Sequence, residues 1–466
     1  MRHRYILFLL VIAHLIIVPW IHIGGEGAER LFAGFYLAGY NVEVPLTELD
    51  IRGEIFIQFV MSLIIRLCDL LSLPVSFSAN IALYAFPLVN LTAIFFAYLL
   101  GSSLFNRKIG FYFSLLLGLS YQFWYFSNQT RLQPVCATLM LASVYFFWKS
   151  IQENSEWYWF VLWGLFSVFA FEAMYLAFLL PLFYLSFLIL SKKFNWITKR
   201  GTWFGAGVGF LSFAPWFYLN TLHTGSPVGP ILNLTAWGLR ISLTTVTEIG
   251  YLAYFSYIGH IHFYLPFPNF IVFIYGVYVL LKSYIKVRCQ AHLFALSYLF
   301  VVFGGMSLIV SYDIDWYSPI LMPPLILFTS IGLCDVFTRI NSSKKFKKHS
   351  STLCSSAFLL SALAINQIHP LVVAHLEDSL IHFYSIEGIL QGFAVPKIIA
   401  WSNLHELEPI IELLEAVGKA PKPAIFSVMV LLDYTLLALT VVLSLYVLFT
   451  KTSIFALMQR NRSRQK

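Results

Sequence analysis

Charge is scarce in this sequence. Asp, Glu, Lys and Arg together make up 11% of its 466 residues, whereas a soluble domain carries about 25%. So few charges cannot clothe a water-facing surface, which excludes an ordinary soluble domain. Cysteine is also sparse, with 5 in the whole chain. Cys68, Cys136, Cys289, Cys334 and Cys354 include no two at metal-ligand spacing and form no disulfide framework, so they read as packing residues. No repeat of fixed period is present, and the basic run 344–348 is the one low-complexity segment. The formal net charge of +8 could point to nucleic acid. Its cations instead fall in short clusters between apolar runs, the pattern of loops at a membrane surface, which argues against nucleic-acid binding.

What the chain has in abundance is apolar and aromatic surface: 59% hydrophobic residues and 18% aromatic, with 45 Phe, 26 Tyr and 12 Trp. A bilayer span needs about 20 apolar residues. Spans are expected near 5–23, 77–100, 109–126, 132–149, 157–172, 174–191, 202–220, 264–282, 291–311, 317–338, 351–368 and 424–449. The fold class is therefore all-α, a polytopic helical membrane protein of about 12 transmembrane helices, with 10–13 compatible with the pattern. The first run follows Arg2 and Arg4 and ends in Trp20, His22 and Ile23 instead of a small-residue cleavage site, so it reads as an uncleaved span.

Orientation follows from Lys and Arg, which gather on cytoplasmic loops. With both termini in the cytoplasm, most of the 30 basic residues fall inside, among them Arg107, Lys108, Lys149, Lys192, Lys193, Lys199 and Arg200. Three long segments then lie outside, 24–76, 221–263 and 369–423. The expected localisation is a multi-pass plasma (inner) membrane protein with any chemistry on the external face. Within the first external loop, 54–73 is apolar but interrupted by Gln58, Arg66 and Asp69, which fits a helix lying in the interface. The chain divides into a core, 1–340, including the loop 24–76, and a C-terminal region, 341–466. That region carries the external loop 369–423 and a basic cytoplasmic tail, 451–466.

Candidate chemistry clusters on the external side. Glu26 and Glu29 stand three apart in GGEGAERLFAGFYLAGY, so on a helix they share a face. An acid there can take a proton from a hydroxyl or hold a cation; it can equally complement a helix N-terminus. Asp50 and Arg52 follow in TELDIRGE, where a solvated turn explains them as readily as a site, although a guanidinium can grip phosphate through two hydrogen bonds. Arg131 is the one charged residue between Lys108 and Lys149. It suits either a lipid-phosphate contact or an interfacial anchor. Glu172, in FAFEAMY, lies at a tight external turn, where an acid can be functional or simply reach water. Asp313 and Asp315 precede the tenth span, and His260 and His262, two apart, point away from each other on a helix.

Four segments then carry a resemblance. GGEGAERLFAGFYLAGY after the first span, SNQTRLQPVCATLMLASVYFFW, FLSFAPWFYLNTLHTGSPVG and DWYSPILMPPLILFTSIGL resemble, in order, spacing and sidedness, the GT-C class of polytopic glycosyltransferases. The similarity covers roughly residues 1–340 and is greatest to the protein O-mannosyltransferase and aminoarabinose transferase branch. It departs from that branch in having Gly25 before Glu26 instead of two adjacent acids, and Gln133 where Arg-x-Asp is common. The resemblance implies a sugar donor on a polyprenyl phosphate, an acceptor lipid, glycan or protein, and an inverting transfer. It assigns Glu26 as general base and Glu29 to the acceptor or a divalent cation, the one cofactor implied. Arg52, Arg131, Asp50 and Glu172 become substrate-binding residues. Two rival readings are a transporter, which would bind its substrate near mid-membrane, and a non-catalytic lipid-binding or assembly protein on the same fold.

Overall fold

The computed structural model describes residues 2–17, 25–41, 55–127, 130–229, 261, 264–265, 268–309, 314–343 and 350–366. Among these residues every regular element is helical. The first is α1 (Arg2–Ile17), followed by α2 (Gly25–Ala38) and α3 (Phe56–Leu70). Next come α4 (Val75–Leu83), α5 (Ala85–Leu104), α6 (Arg107–Leu119), α7 (Tyr121–Ser127) and α8 (Leu132–Ser150). After α9 (Trp157–Ala173) a 3-10 turn, Tyr175–Phe178, leads into α10 (Leu179–Ser191). The short α11 (Asn195–Thr198) precedes α12 (Arg200–Ser212) and α13 (Ala214–Thr224). The last four are α14 (Asn269–Val287), α15 (Gln290–Ile309), α16 (Ile314–Ser342) and α17 (Ser350–Asn366).

Over its described residues, each expected span from 5–23 to 351–368 is built mainly of helix. The span 424–449, the loop 369–423 and the tail 451–466 lie outside the described residues. By length and composition four described stretches can cross a membrane: Val75–Leu104, Asn269–Val287, Gln290–Ser307 and Tyr317–Ser342. Several expected spans are not single helices, and prolines explain two of the breaks. Pro87 offers no N–H to the carbonyl of Leu83, and the chain breaks at Tyr84 between α4 and α5. Pro215 sits in the first turn of α13, and the expected span 202–220 breaks at Phe213.

The span 109–126 breaks without proline. Ser120 takes extended dihedrals (φ −70°, ψ 112°), which frees the carbonyls of the last α6 turn. In a membrane those groups must find partners within the protein. The Leu117 carbonyl accepts from the Ser120 N–H at 3.2 Å and from the Trp124 indole at 3.1 Å. The Gly118 carbonyl accepts from His14 Nε2 at 2.7 Å, which fixes a proton on that nitrogen. The imidazole also stacks on Trp124, ring centroids 3.7 Å apart. One α1 side chain thus both caps the break and braces its far side.

At the centre lies α8, whose residues 132–148 are all buried. It packs on α5, α7, α9, α10 and α16. Its 19 residues span about 28 Å at 1.5 Å per residue, roughly the hydrocarbon thickness, so its ends mark opposite faces. Ser143 of α8 bonds Ser167 of α9 and Tyr184 of α10, each at 2.7 Å. At its C-terminal end Lys193 donates to the Ile151 carbonyl at 3.5 Å and Lys199 to that of Gln152 at 3.2 Å. Burial pushes the Lys193 pKa down, Glu153 opposes this, and Lys199 adds to it.

Close helix approach depends on small residues. On α12, Gly201, Gly205 and Gly209 recur every four residues and face α9. A Cβ on Gly205 would collide with the Phe160 carbonyl, and one on Gly164 with the carbonyl of Gly205. Gly207 faces open space. Gly205→Leu should therefore destabilise the folded protein by at least 2 kcal/mol, at the upper part of the ~1–3 kcal/mol range for overpacking. Gly207→Leu should stay within about 0.5 kcal/mol of the parent. Unfolding midpoints in detergent check the pair. His14→Phe, which keeps the ring but leaves the Gly118 carbonyl unpaired, should cost about 1–3 kcal/mol in the same measurement.

Candidate active site at the N-terminal end of the axial helix

α2 begins at Gly25, eight positions after α1 ends, so Glu26 and Glu29 both stand in its first turn and a half. The helix continues inward: residues 30–35 are all buried. It packs on α3 so closely that a Cβ on Gly34 would come within 3.0 Å of the Met61 Cβ. Two side chains of α3 close the other end of α2. Arg66 donates to the carbonyls of Leu37 at 3.0 Å and Ala38 at 3.3 Å, satisfying C-terminal carbonyls that the helix itself leaves open. Gly39 then reverses the chain at φ +100°, and the Tyr40 hydroxyl donates to Asp69 at 2.8 Å. Two of the three polar residues that interrupt 54–73, Arg66 and Asp69, therefore clamp the α2–α3 hairpin. Along α3, Ile57, Met61 and Ile65 are buried while Phe59, Leu63 and Leu67 are exposed, the two-sided pattern of a helix at a membrane interface.

The inner face of this hairpin meets the start of α8. Arg30 is 3% exposed, and its Nη1 donates to the Thr130 carbonyl at 3.4 Å. Arg131 follows as the half-buried residue that begins α8, with φ −86° and ψ 146°. The acidic turn of α2 and Arg131 thus belong to one end of the axial helix. The Lys193 and Lys199 contacts occupy the other end. Arg30 was absent from the residues that the sequence singled out. Its signal was its place inside the acidic motif, one position after Glu29.

Glu172 lies in the last turn of α9, just before Met174 takes extended dihedrals. Of the two readings open for Glu172, the one in which it simply reaches water does not describe this structure: Glu172 is 5% exposed. Its carboxyl makes no hydrogen bond or ion pair with any described residue. Nearby, Cys136 of α8 approaches the Met174 carbonyl at 3.9 Å, and Phe169 one turn earlier packs on Phe56 of α3, centroids 5.1 Å apart. The C-terminal end of α9 therefore adjoins the first turns of α8 and α3, at the same end as Arg30 and Arg131.

Asp50, Arg52, His260, His262 and Asp313 lie outside the described residues, as do the side chains of Glu26, Glu29 and Asp315. Among the described residues no three His, Cys, Asp or Glu gather as a metal site. All five cysteines are free thiols, and all but the half-exposed Cys289 are buried, as packing residues would be.

Residues 56–219 match the family model described as dolichyl-phosphate-mannose-protein mannosyltransferase. The match runs from the start of α3 into α13 and leaves the acidic helix α2 outside it. A sequence search of curated proteins gives no match. Among solved structures, the chain is similar to ArnT from Cupriavidus metallidurans bound to undecaprenyl phosphate. That similarity has a TM-score of 0.56 and 12% identity, covering 94% of this chain and 76% of that one. It is also similar to the Archaeoglobus fulgidus oligosaccharyltransferase AglB in complex with an inhibitory peptide and a dolichol-phosphate. There the TM-score is 0.51 at 11% identity, covering 91% of this chain and 60% of the archaeal one. At such identities the structures establish the fold alone, and the family match is confined to residues 56–219. Together they give this chain the helical membrane fold of those enzymes, the GT-C-like fold that the resemblance implied.

Proposed function

We propose that this protein transfers a sugar from a polyprenyl-phosphate carrier to an acceptor hydroxyl on the external face of the membrane, with inversion at the anomeric carbon. The observation that carries this reading is the contact between α2 and the start of α8. It brings the helix that bears Glu26 and Glu29 beside Arg131 at one end of the bundle. The family match at 56–219 supports it, as does the fold shared with a structure that holds undecaprenyl phosphate.

Glu26 takes the proton of the acceptor hydroxyl as its oxygen attacks the anomeric carbon from the side opposite the carrier. The bond from that carbon to the carrier phosphate breaks, and the polyprenyl phosphate leaves with the electron pair. Glu29 orients the acceptor or helps to hold a divalent cation. Arg52 and Arg131 offset the charge that develops on the departing phosphate. Asp50 and Glu172 contact the sugar or the acceptor. In Glu172 this reading gives a purpose to a carboxyl buried without a described partner, a placement that charge burial otherwise disfavours.

The test uses the full chain in lipid nanodiscs, supplied with undecaprenyl-phosphate-linked sugars and a panel of lipid and glycan acceptors, and follows products by mass spectrometry. The parent protein should release undecaprenyl phosphate and glycosylate an acceptor. Glu26→Gln should lower turnover about 10²-fold or more without shifting the unfolding midpoint. Equal turnover by Glu26→Gln would refute the assignment of the base, and sugar uptake into vesicles without transfer would favour a transporter. Glu172→Gln should also lower turnover while leaving stability unchanged or improved, because it removes an ionisable group from a buried position. A drop in stability of more than about 1 kcal/mol would instead make Glu172 a structural residue.

A further inference from the structure

Thr130 stands in an unusual backbone position. Its φ is +55°, in the left-handed region that β-branched residues rarely enter. Such a conformation persists where surrounding contacts hold it. The residue type does not supply it here, since neither Gly nor Asn occupies the position. Thr130 is fully buried, and its carbonyl accepts from Arg30 Nη1. Arg30, in turn, is fixed by the buried stretch of α2, while α8 beyond the turn is packed along its whole length. Between two rigid helices, the dihedrals of Thr130 decide where Arg131 stands.

We propose that Arg30 is a positioning residue. Its guanidinium holds the Thr130 carbonyl, so the left-handed turn at Thr130 sets the position of Arg131 against the acidic first turn of α2. Arg30 lies one position after Glu29 and one helical turn after Glu26, so the acids and Arg131 share a single reference point. A guanidinium suits this role because it offers five N–H donors in a fixed plane. One donor can hold the carbonyl while the others serve further partners of α2. The role rests on the reading of Arg131 as a phosphate contact, and it adds a specific consequence: Arg30 acts on ligand binding only through Arg131.

The experiment has two arms, both with the full chain in nanodiscs and with Cys289→Ser to remove the half-exposed thiol. In the first, undecaprenyl phosphate is titrated onto the parent, Arg30→Gln, Arg30→Lys, Arg131→Gln and the Arg30→Gln/Arg131→Gln double variant. In the second, a nitroxide label at position 129 reports the mobility of the turn in the parent and the two Arg30 variants. Arg30→Gln should raise label mobility and weaken binding about tenfold. Arg30→Lys, which keeps a charged donor, should recover part of both. The double variant should bind no more weakly than Arg131→Gln alone, since a residue that acts through Arg131 has nothing left to act on. An unchanged label, or losses that multiply in the double variant, would overturn the proposal. If the parent binds no undecaprenyl phosphate yet the label loosens in Arg30→Gln, the lipid-phosphate reading fails and the hold of Arg30 on the turn stands. Should Arg30→Gln fail to fold, Arg30→Lys alone decides: label and affinity both displaced from the parent support the role, and both unchanged overturn it.

Discussion

A peptide carbonyl released by a helix break in a bilayer has no water to bond, so the protein itself must supply the donor. That constraint organises this fold. His14 answers the Gly118 carbonyl and Trp124 that of Leu117. Arg66 answers Leu37 and Ala38, and Arg30 answers Thr130. At the lysine-capped end Lys193 and Lys199 answer Ile151 and Gln152. Apart from Trp124, seven positions from Leu117, each donor lies far along the chain from its acceptor, so a local break becomes a long-range tie. Few polar side chains are available in so apolar a chain, and many of them are spent on backbone carbonyls.

These ties also give the molecule two distinct ends. The axial helix α8 separates a lysine-capped end from an end where α2, α3 and the last turn of α9 converge. The first is built from short loops and exposed aromatic residues such as Trp157 and Trp203. The second holds buried or half-buried ionisable groups, Arg30, Arg131 and Glu172. Burying such groups is unfavourable unless they are paired or have work to do, and among the described residues the two charged side chains that are fully buried, Arg30 and Glu172, both stand at this end. The hairpin of α2 and α3 forms the cover of that end, its outer face apolar and its inner face tied to the turn before α8.

Much of this architecture was legible in the sequence. Long apolar runs and clustered cations located the helices, and the interrupted segment 54–73 marked α3, because both signals depend on composition alone. The breaks were less legible. Pro87 and Pro215 sat inside runs that read as continuous spans, and the break at Ser120 has no proline to announce it. Its stabilising partner, His14, lies 104 positions before the Gly118 carbonyl, so no local pattern pairs the two. At the site, the motif that holds Glu26 and Glu29 was recognised, yet Arg30 was passed over, since no local pattern shows that a side chain will meet a carbonyl a hundred positions away. For Glu172 the sequence located the helix end but not its burial, which depends on how α3 and α8 pack against it.

The proposed function requires α2 to face the compartment outside the cell and the lysine-capped end of α8 to face the cytoplasm. Single cysteines at positions 27 and 192, in a Cys289→Ser background, test this with a membrane-impermeant thiol reagent on intact cells. Position 27 should be labelled from outside and position 192 only after the membrane is opened. Labelling of 192 from outside, or of 27 only in opened cells, would contradict the arrangement.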